Sequence, residues 1–239
     1  MANNKSNLQQ ILANIMEAWK LRDSNESVKI IAVVSGSDVD RESWKKRLEE
    51  INPYIFNRNG SSLVLSIQEK IGNKTRQGNF LGTLLAYGNI KEAACKHGVP
   101  YRSFVTMIGM LFGRGERLSP ITQCKGCRKP AVEVTPANIT INNKKFALTA
   151  VEEALFYFTP VAKYFEKRGF KGVLNKWGDE TEIASVDLSE VSSSPNLMEK
   201  YDLIKIISVV ELTDESASQK DWVIFDSKQN MIGQISRNN

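Results

Sequence analysis

The sequence predicts an α/β fold in which a mainly parallel β-sheet lies between two layers of helices. Short runs rich in Val, Ile and Leu alternate along the chain with longer runs whose apolar residues recur at helical spacing. Polar segments that contain glycine follow several of the apolar runs, as expected where buried strands end. Because parallel sheets are covered on both faces, this alternation favours a three-layer sandwich with its ligands at the carboxyl ends of the strands.

The first half of the chain supplies the first strands and helices of this pattern. We expect an amphipathic helix over residues 6–21, a buried strand over 29–34, a helix capped by Asp40 or a neighbour, and a second strand over 62–67. Residues 72–78 form a polar, basic loop, and the helix expected over 80–96 stops at His97-Gly98. The apolar residues that define the first helix are Leu8, Ile11, Leu12, Ile15, Met16 and Trp19.

The second half continues the pattern and ends in a β-hairpin. A strand over 104–112 runs into a glycine-rich segment, residues 129–135 are extended, and Asn142-Asn143 is a hairpin turn before a helix over 148–167. After this helix we expect a strand over 172–177, a loop over 189–194 and extended runs over 203–212 and 222–226. A turn over 227–230 then leads to a returning strand over 231–235. These elements predict a Rossmann-like three-layer sandwich that forms a single α/β domain over residues 1–239.

Composition and charge narrow the class of protein. With 239 residues, 41% of them hydrophobic, the chain can bury a substantial core, and no run reaches the eighteen or more apolar residues of a membrane span. The first residues lack the apolar core of a signal peptide and three cysteines suit a reducing compartment, so we expect a cytoplasmic protein. The net charge of +5 favours an anionic partner, but the basic residues are spread along the chain, which disfavours nucleic acid. Homo-oligomerisation stays open.

A segment that suits phosphate binding, Gly113-Arg-Gly-Glu-Arg117, directly follows a predicted buried strand. Glycine lacks a Cβ and tolerates positive φ, so backbone N–H groups in such a loop can approach an anion closely. Arg117 offers a planar guanidinium to two phosphate oxygens, and Lys129 adds a point charge. An ordinary tight turn with surface cations has the same short Gly-x-Gly pattern, so these residues alone predict a phosphate site only weakly.

The longer string Gly113-x-Gly-x-Arg-Leu-x-Pro-x-Thr122, followed by Lys129-Pro130, resembles the signature loop of the sugar-phosphate nucleotidyltransferases, also called nucleotidyl-diphosphate-sugar pyrophosphorylases. The resemblance implies that Arg117 steadies the leaving pyrophosphate and that Lys129 contacts the phosphates at the reacting centre. Lys129 lies further from Arg117 than is usual in the family, so Lys125 and Arg128 are alternatives for its role. The resemblance also implies nucleotide binding by the loop residues Gly113, Arg114, Gly115 and Glu116.

Two downstream segments extend the resemblance. The string Gly172-Val-Leu-Asn-Lys-Trp-Gly-Asp179 is similar to the family's strand that ends in Gly-Asp, whose aspartate holds the catalytic magnesium. The resemblance therefore implies Mg²⁺ as cofactor and Asp179 as its ligand. Asp179 and Glu180 could also be a solvated or helix-capping acidic pair. Residues 222–235 are similar to the hairpin that follows in those enzymes.

The first half of the chain, residues 1–100, contains a segment that resembles the part of the family that reads the nucleotide base. The second half, residues 101–239, contains the phosphate loop, the metal aspartate and the hairpin. Gln68-Glu69 and Gly78-Asn-Phe-Leu-Gly-Thr83-Leu-Leu-Ala86 look like the family's base-reading Gln and Gly-Thr-Ala, which implies nucleotide contacts by Gln68, Gly82 and Thr83. In the family these motifs follow the signature loop, so a circular rearrangement of the sheet would explain their order here. Alternatively, the apolar residues between 80 and 87 are simply the inner face of a helix.

The three cysteines allow a different site. Cys124-x-x-Cys127 together with Cys95 and His97, the only histidine, would make a four-ligand zinc site. A single Cys-x-x-Cys without a second matching pair is weak evidence for zinc, and two of the cysteines lie inside the proposed phosphate segment. We therefore expect them to be incidental there.

The sequence as a whole predicts nucleotidyl transfer from a nucleoside triphosphate to a sugar 1-phosphate, with release of pyrophosphate. The chain ends in Ser236-Arg237-Asn238-Asn239, where the family usually continues with Glu-Lys-Pro and then a sugar-binding half. The alternative expectation is therefore a non-catalytic nucleotide- or sugar-phosphate-binding module of a larger protein.

Overall fold

The computed structural model describes residues 7–71, 74–75, 79–111, 119–124, 129–141, 143–189, 222–228 and 231–235. Contacts between Cα atoms divide the chain into two compact units, residues 1–198 and 199–239. Within the first unit the helices are α1 (Asn7–Asp23), α2 (Asp38–Ile55), α3 (Asn79–Lys96), α4 (Ile121–Cys124) and α5 (Ala150–Lys167). Its strands are β1 (Ile30–Ser35), β2 (Leu63–Gln68), β3 (Lys70–Ile71), β4 (Lys74–Thr75), β5 (Thr106–Met110), β6 (Glu133–Ile141), β7 (Lys144–Thr149) and β8 (Val173–Trp177).

A four-stranded parallel sheet forms the centre of the first unit, with the strand order β2-β1-β5-β8. Val34 of β1 is level with Ile67 of β2 and with Met110 of β5, and Met110 is level with Trp177 of β8. All four strands therefore end together, at what we call the carboxyl edge. The parallel sheet flanked by helices confirms the predicted α/β fold class.

Helices cover the sheet on both faces. Successive residues of a strand point to opposite sides of the sheet, so apolar strands such as β1 present side chains to both layers of helices. On one face Ile31, Val33 and Met107 pack beneath α2 and α5, and α1 packs on α5. On the other face Ile30 and Ile108 pack against α3. The central strand β1 is buried along its whole length, which explains its uninterrupted apolar sequence.

The connections between the strands do not all have the same hand. From β1 the chain crosses through α2 to β2, which lies on one side of β1. From β5 it crosses through α5 to β8, which lies in the opposite direction along the sheet. Both helices nevertheless cover the same face of the sheet. The α5 connection therefore has the opposite hand to the α2 connection. The connection from β2 to β5 passes through α3 and runs in the same direction along the sheet as the α5 connection, but α3 covers the other face. The α3 connection therefore has the same hand as the α2 connection. Since almost all such crossovers are right-handed, the α5 connection is the exceptional one.

The turn after β1 starts α2 one residue beyond Ser37. Ser37 is the N-cap in extended conformation, and its hydroxyl accepts a hydrogen bond from Asp40 N (3.1 Å) while donating to Asp40 Oδ2 (2.7 Å). The predicted cap, Asp40 or a neighbour, is thus resolved as the neighbour Ser37, with Asp40 in the first turn.

An antiparallel pair, β6 and β7, precedes α5. Its turn contains Asn143 at φ 65°, a conformation that asparagine tolerates, so the predicted hairpin turn is confirmed. The predicted extended run over 129–135 is wrong at its start, because Lys129–Ala131 form a 3₁₀ turn before β6 begins at Glu133. Pro130 has a fixed φ and no N–H to give to a strand partner, which suits the turn.

Only part of the apolar stripe predicted for α1 faces the core: Ile11, Ile15 and Trp19 are half-buried, and Trp19 packs against Phe156 of α5 with the ring centroids 4.7 Å apart. An amphipathic helix normally buries such a stripe, but Leu8, Leu12 and Met16 are 63%, 52% and 57% exposed. The residues of α1 that are buried are Asn14, Ala18 and Leu21.

Of the second unit, the structure describes two strands, β9 (Trp222–Phe225) and β10 (Met231–Ile235), which pair antiparallel. The expected extended run over 203–212 and, apart from Ser189, the expected loop over 189–194 lie outside the described residues. None of the helices in the described residues is long and apolar enough to cross a membrane.

Candidate functional site

The strand order creates a topological switch point between β1 and β5. The chain leaves β1 towards β2 on one side and leaves β5 towards β8 on the other, which is the arrangement at which open α/β sheets bind their ligands. At this point Ser35 is fully buried, and its hydroxyl donates to the carbonyl oxygens of Ser37 (3.3 Å) and Ile67 (3.4 Å). The turn after β1 is therefore fixed against β2.

The predicted phosphate loop follows β5 directly in the sequence. Leu111 N donates to Val34 O (2.9 Å), so β5 stays paired with β1 up to the last described residue before the loop. The loop residues Gly113, Arg114, Gly115, Glu116 and Arg117 lie outside the described residues.

The predicted metal ligand follows β8 in a tight turn. Gly178 N donates to Met110 O (3.2 Å), and Glu180 N donates to Trp177 O (3.3 Å), which holds the half-buried Asp179 at the tip of the turn. A Cβ on Gly178 would lie 2.6 Å from Met110 O, a backbone atom that cannot easily move. Glycine is therefore required for β8 to end this close to β5, and the close approach brings Asp179 to the end of β8 next to the end of β5.

Lys129-Pro130 lies beside this turn. The buried Pro130 places its Cβ 3.0 Å from the position that a Cβ on Gly178 would take. The backbone of Lys129 is consequently next to the Gly178-Asp179 turn. The side chain of Lys129, like its alternatives Lys125 and Arg128, lies outside the described residues.

Gln68, predicted to contact the nucleotide base, ends β2 and is 6% exposed. In the amide orientation that satisfies both atoms, Gln68 donates to Asp38 Oδ1 (2.5 Å) and accepts from Asp38 N (3.2 Å). The side chain thus binds the first turn of α2 and ties β2 to the turn after β1. This contact gives Gln68 a structural role that the sequence did not predict.

Gly82 and Thr83 lie in the first turns of α3, at the same edge. A Cβ on Gly82 would lie 1.8 Å from Oε2 of Glu69, whose side chain is fully buried directly after β2. Gly82 therefore lets α3 approach a buried carboxyl group. Thr83 is half-buried, with its hydroxyl 3.9 Å from the sulfur of Met110 at the end of β5.

Glu69 is the residue at this edge whose environment the sequence did not reveal. In the sequence Glu69 is only the neighbour of Gln68, whereas its complete burial against Gly82 depends on how α3 packs. Asp38, Asp40 and Asp179 are further carboxylates at the same edge, so its described part is rich in acidic groups. The cations that would balance a triphosphate there, Arg117 and Lys129, belong to the parts whose side chains are not described.

Asp179 is the described carboxylate that was predicted to hold magnesium. Mg²⁺ in nucleotide sites is held by one or two carboxylates together with phosphate oxygens, and Asp179 supplies such a carboxylate at the switch-point side of β8. Within the described part of the chain, no three His, Cys, Asp or Glu side chains form a cluster that could hold a metal ion. Cys95, His97 and Cys124 are exposed there, and Cys127 lies outside the described residues.

Comparison with protein-family models, with curated proteins and with solved structures found no match to this chain.

Proposed function

We propose that the carboxyl edge binds a nucleoside triphosphate with Mg²⁺ and transfers its nucleotidyl group to a sugar 1-phosphate. One observation carries the proposal: Gly178-Asp179 and Lys129-Pro130, which are far apart in the sequence, pack against each other at the end of β5, where the Gly113–Arg117 segment begins. Two of the segments that resemble the nucleotidyltransferase family thus lie together at the carboxyl edge, where sheets of this kind bind their ligands.

The proposed reaction is a direct displacement at the α-phosphorus. An oxygen of the sugar phosphate forms a bond to the α-phosphorus, the bond from that phosphorus to the bridging oxygen of the β-phosphate breaks, and the electron pair leaves with pyrophosphate. Backbone N–H groups of residues 113–116 hold the phosphates, and Arg117 and Lys129 neutralise the charge that builds up on the leaving group. Asp179 would hold Mg²⁺, which supplies Lewis-acid neutralisation of the phosphate oxygens when bound.

The remaining described residues of the edge orient these groups. Gln68 and Ser35 fix the turn between β1 and α2, and the tight turn at Gly178 fixes the backbone of Asp179 relative to β5. Holding the two reactants in line is the larger part of the proposed catalysis, since no covalent enzyme intermediate is involved.

Pyrophosphate release tests this function. We expect the purified chain to release pyrophosphate from one of the common triphosphates when a sugar 1-phosphate and Mg²⁺ are present. Asp179→Asn should lose most of this activity with an unchanged melting temperature, because the change is nearly isosteric and removes only the charge. Glu180→Gln, the adjacent exposed carboxylate, is the matched control and should keep the activity.

Arg117→Ala tests the phosphate contacts, with a nucleotide titration measured beside pyrophosphate release. It should weaken triphosphate binding as well as turnover, because a charge-assisted contact to phosphate is lost. An Asp179→Asn variant with normal turnover, or an Arg117→Ala variant with normal affinity and rate, would contradict the assignment of this edge.

A further inference from the structure

Two of the residues predicted to contact the nucleotide base are closed off by packing. Gln68 is 6% exposed, and its amide both donates to and accepts from Asp38. Gly82 is buried as well, with the carboxyl group of Glu69 in the space where a Cβ would stand. A base that binds at the carboxyl edge therefore needs a contact other than the amide of Gln68.

Trp177 is an exposed aromatic side chain at the same edge. It is the last residue of β8, and 42% of it is exposed. It is level with Met110, and paired residues of parallel strands point to the same face, so its indole lies on the face that α3 covers. The hydroxyl of Thr83 on α3 lies 3.9 Å from the sulfur of Met110. Thr83 and Trp177 are thus neighbours of the same residue at the end of β5.

The position of α3 explains why the indole is exposed. A helix is about 10 Å across and neighbouring strands are about 4.8 Å apart, so one helix covers about two strands. On this face α3 packs mainly on β1 and β2. Asn175, the preceding residue of β8 on the same face, is exposed like Trp177. In the described part of the molecule, this end of β8 is therefore open to a ligand.

Trp177 also lies close to the proposed phosphate site. Only Gly178 separates it from Asp179, and consecutive Cα atoms are 3.8 Å apart, so the Cα atoms of Trp177 and Asp179 are at most about 7.6 Å apart. In a nucleotide, the ribose alone stands between the base and the α-phosphate. A metal held by Asp179 and a base in contact with Trp177 can therefore belong to one nucleotide.

We propose that the indole of Trp177 stacks on the base of the bound nucleotide and that the site accepts all four common nucleoside triphosphates; this inference rests on the proposed function. Every base has a π-face, so stacking on an aromatic side chain gives affinity without selecting the base. Strong selection requires hydrogen bonds to the edge of the base, and the amide of Gln68 is engaged with Asp38 instead.

Equilibrium binding of ATP, GTP, CTP, UTP and inorganic tripolyphosphate, each with Mg²⁺, tests the proposal. We expect the four nucleotides to bind the wild type with affinities within a few-fold of each other, and tripolyphosphate to bind more weakly. Trp177→Ala should weaken each nucleotide about 5- to 150-fold, the usual effect of losing one base stack, and leave tripolyphosphate unchanged. Leu12→Ala, which removes an equally exposed apolar side chain from α1, is the matched control and should bind like the wild type.

Trp177→Phe keeps an aromatic ring and should keep most of the nucleotide affinity. Because a stacked base quenches indole fluorescence, this variant should lose the quenching that nucleotides cause in the wild type. Tripolyphosphate binding by Trp177→Ala shows that the variant is folded with its phosphate site intact.

The outcomes separate this inference from the proposed function. A Trp177→Ala variant that still prefers nucleotides to tripolyphosphate overturns the stacking, and a wild type that binds one nucleotide more than tenfold tighter than the other three overturns the tolerance of bases. In both cases the phosphate site stands. A wild type that binds neither nucleotides nor tripolyphosphate overturns the proposed function and this inference with it.

Discussion

Arg47 and Glu152 show how single residues hold the helices of one face together. Glu152 in α5 is fully buried, and its carboxylate accepts hydrogen bonds from Arg47 of α2 and from Thr149 N (2.7 Å). The guanidinium also donates to Ala147 O (2.8 Å). Burial alone would lower the pKa of Arg47, but the hydrogen bond and charge of Glu152 outweigh it, and the pKa is raised. One ion pair thus links α2, β7 and the start of α5.

Arg47→Met should reduce the free energy of unfolding by about 3 kcal/mol, because the buried carboxylate of Glu152 loses its cation. Arg41→Met is the control, since Arg41 forms exposed pairs with Asp38 and Glu42 and should cost about 0–1 kcal/mol. Urea denaturation of both variants measures the difference. Similar small losses for the two would mean that water replaces the guanidinium beside Glu152.

At the scale of an element, the end of β8 depends on a close approach of backbones. The turn that carries Asp179 packs against Met110 of β5, Pro130 and Val151 of α5 at once. These three contacts come from three separate segments of the chain. The position of the turn is therefore a property of the packed sheet and not of the turn sequence.

Gly178→Ala should destabilise the fold by about 1–3 kcal/mol, the usual cost of forcing extra atoms into a packed site. It should also lower Mg²⁺-dependent activity, because the Asp179 turn must shift away from Met110 O. Gly88→Ala in α3 is the control: nothing lies within 4 Å of a Cβ there, and replacing a helical glycine should stabilise by about 0.5–1 kcal/mol. Chemical denaturation and the pyrophosphate assay report the two effects, and equal stabilities for both variants would contradict the close packing.

At the scale of the whole molecule, the resemblance to the nucleotidyltransferases assigns residues to the nucleotide and none to the sugar. The motifs at Gly113, Lys129 and Asp179 would hold a triphosphate with its metal. We therefore expect this chain to bind a nucleoside triphosphate more readily than it turns one over. Positioning both reactants contributes roughly 7–11 kcal/mol in favourable cases, so a loosely held sugar phosphate would lower the rate and leave the nucleotide affinity unchanged.

Calorimetry with Mg²⁺ and each common triphosphate measures the affinity, and pyrophosphate release measures the turnover. Rapid turnover would show that the sugar site is built from residues interpreted here as core or helix face. The absence of binding to every triphosphate would remove the basis of the proposed function.

Much of the fold could be predicted from local patterns. The apolar run over residues 30–34, the turn at Asn143 and the helix after Thr149 follow from side-chain period and from the backbone preferences of a few residues. For the site, the sequence predicted that Asp179 follows a strand and that Gln68 comes directly after another one. It did not predict that Gln68 binds Asp38 or that Gly82 faces Glu69, because both contacts join segments that only packing brings together.

The sequence by itself determined the type and order of the elements, since helical and strand periods are written into neighbouring residues. Only the tertiary structure decided the strand order β2-β1-β5-β8, the opposite hand of the connection through α5, and the side of α1 that faces the core. These features depend on which apolar faces fit together over long sequence separations. The stripe of α1 has the period of a buried face, but Leu8, Leu12 and Met16 are exposed, whereas Ala18 is buried and Trp19 packs against Phe156 of α5.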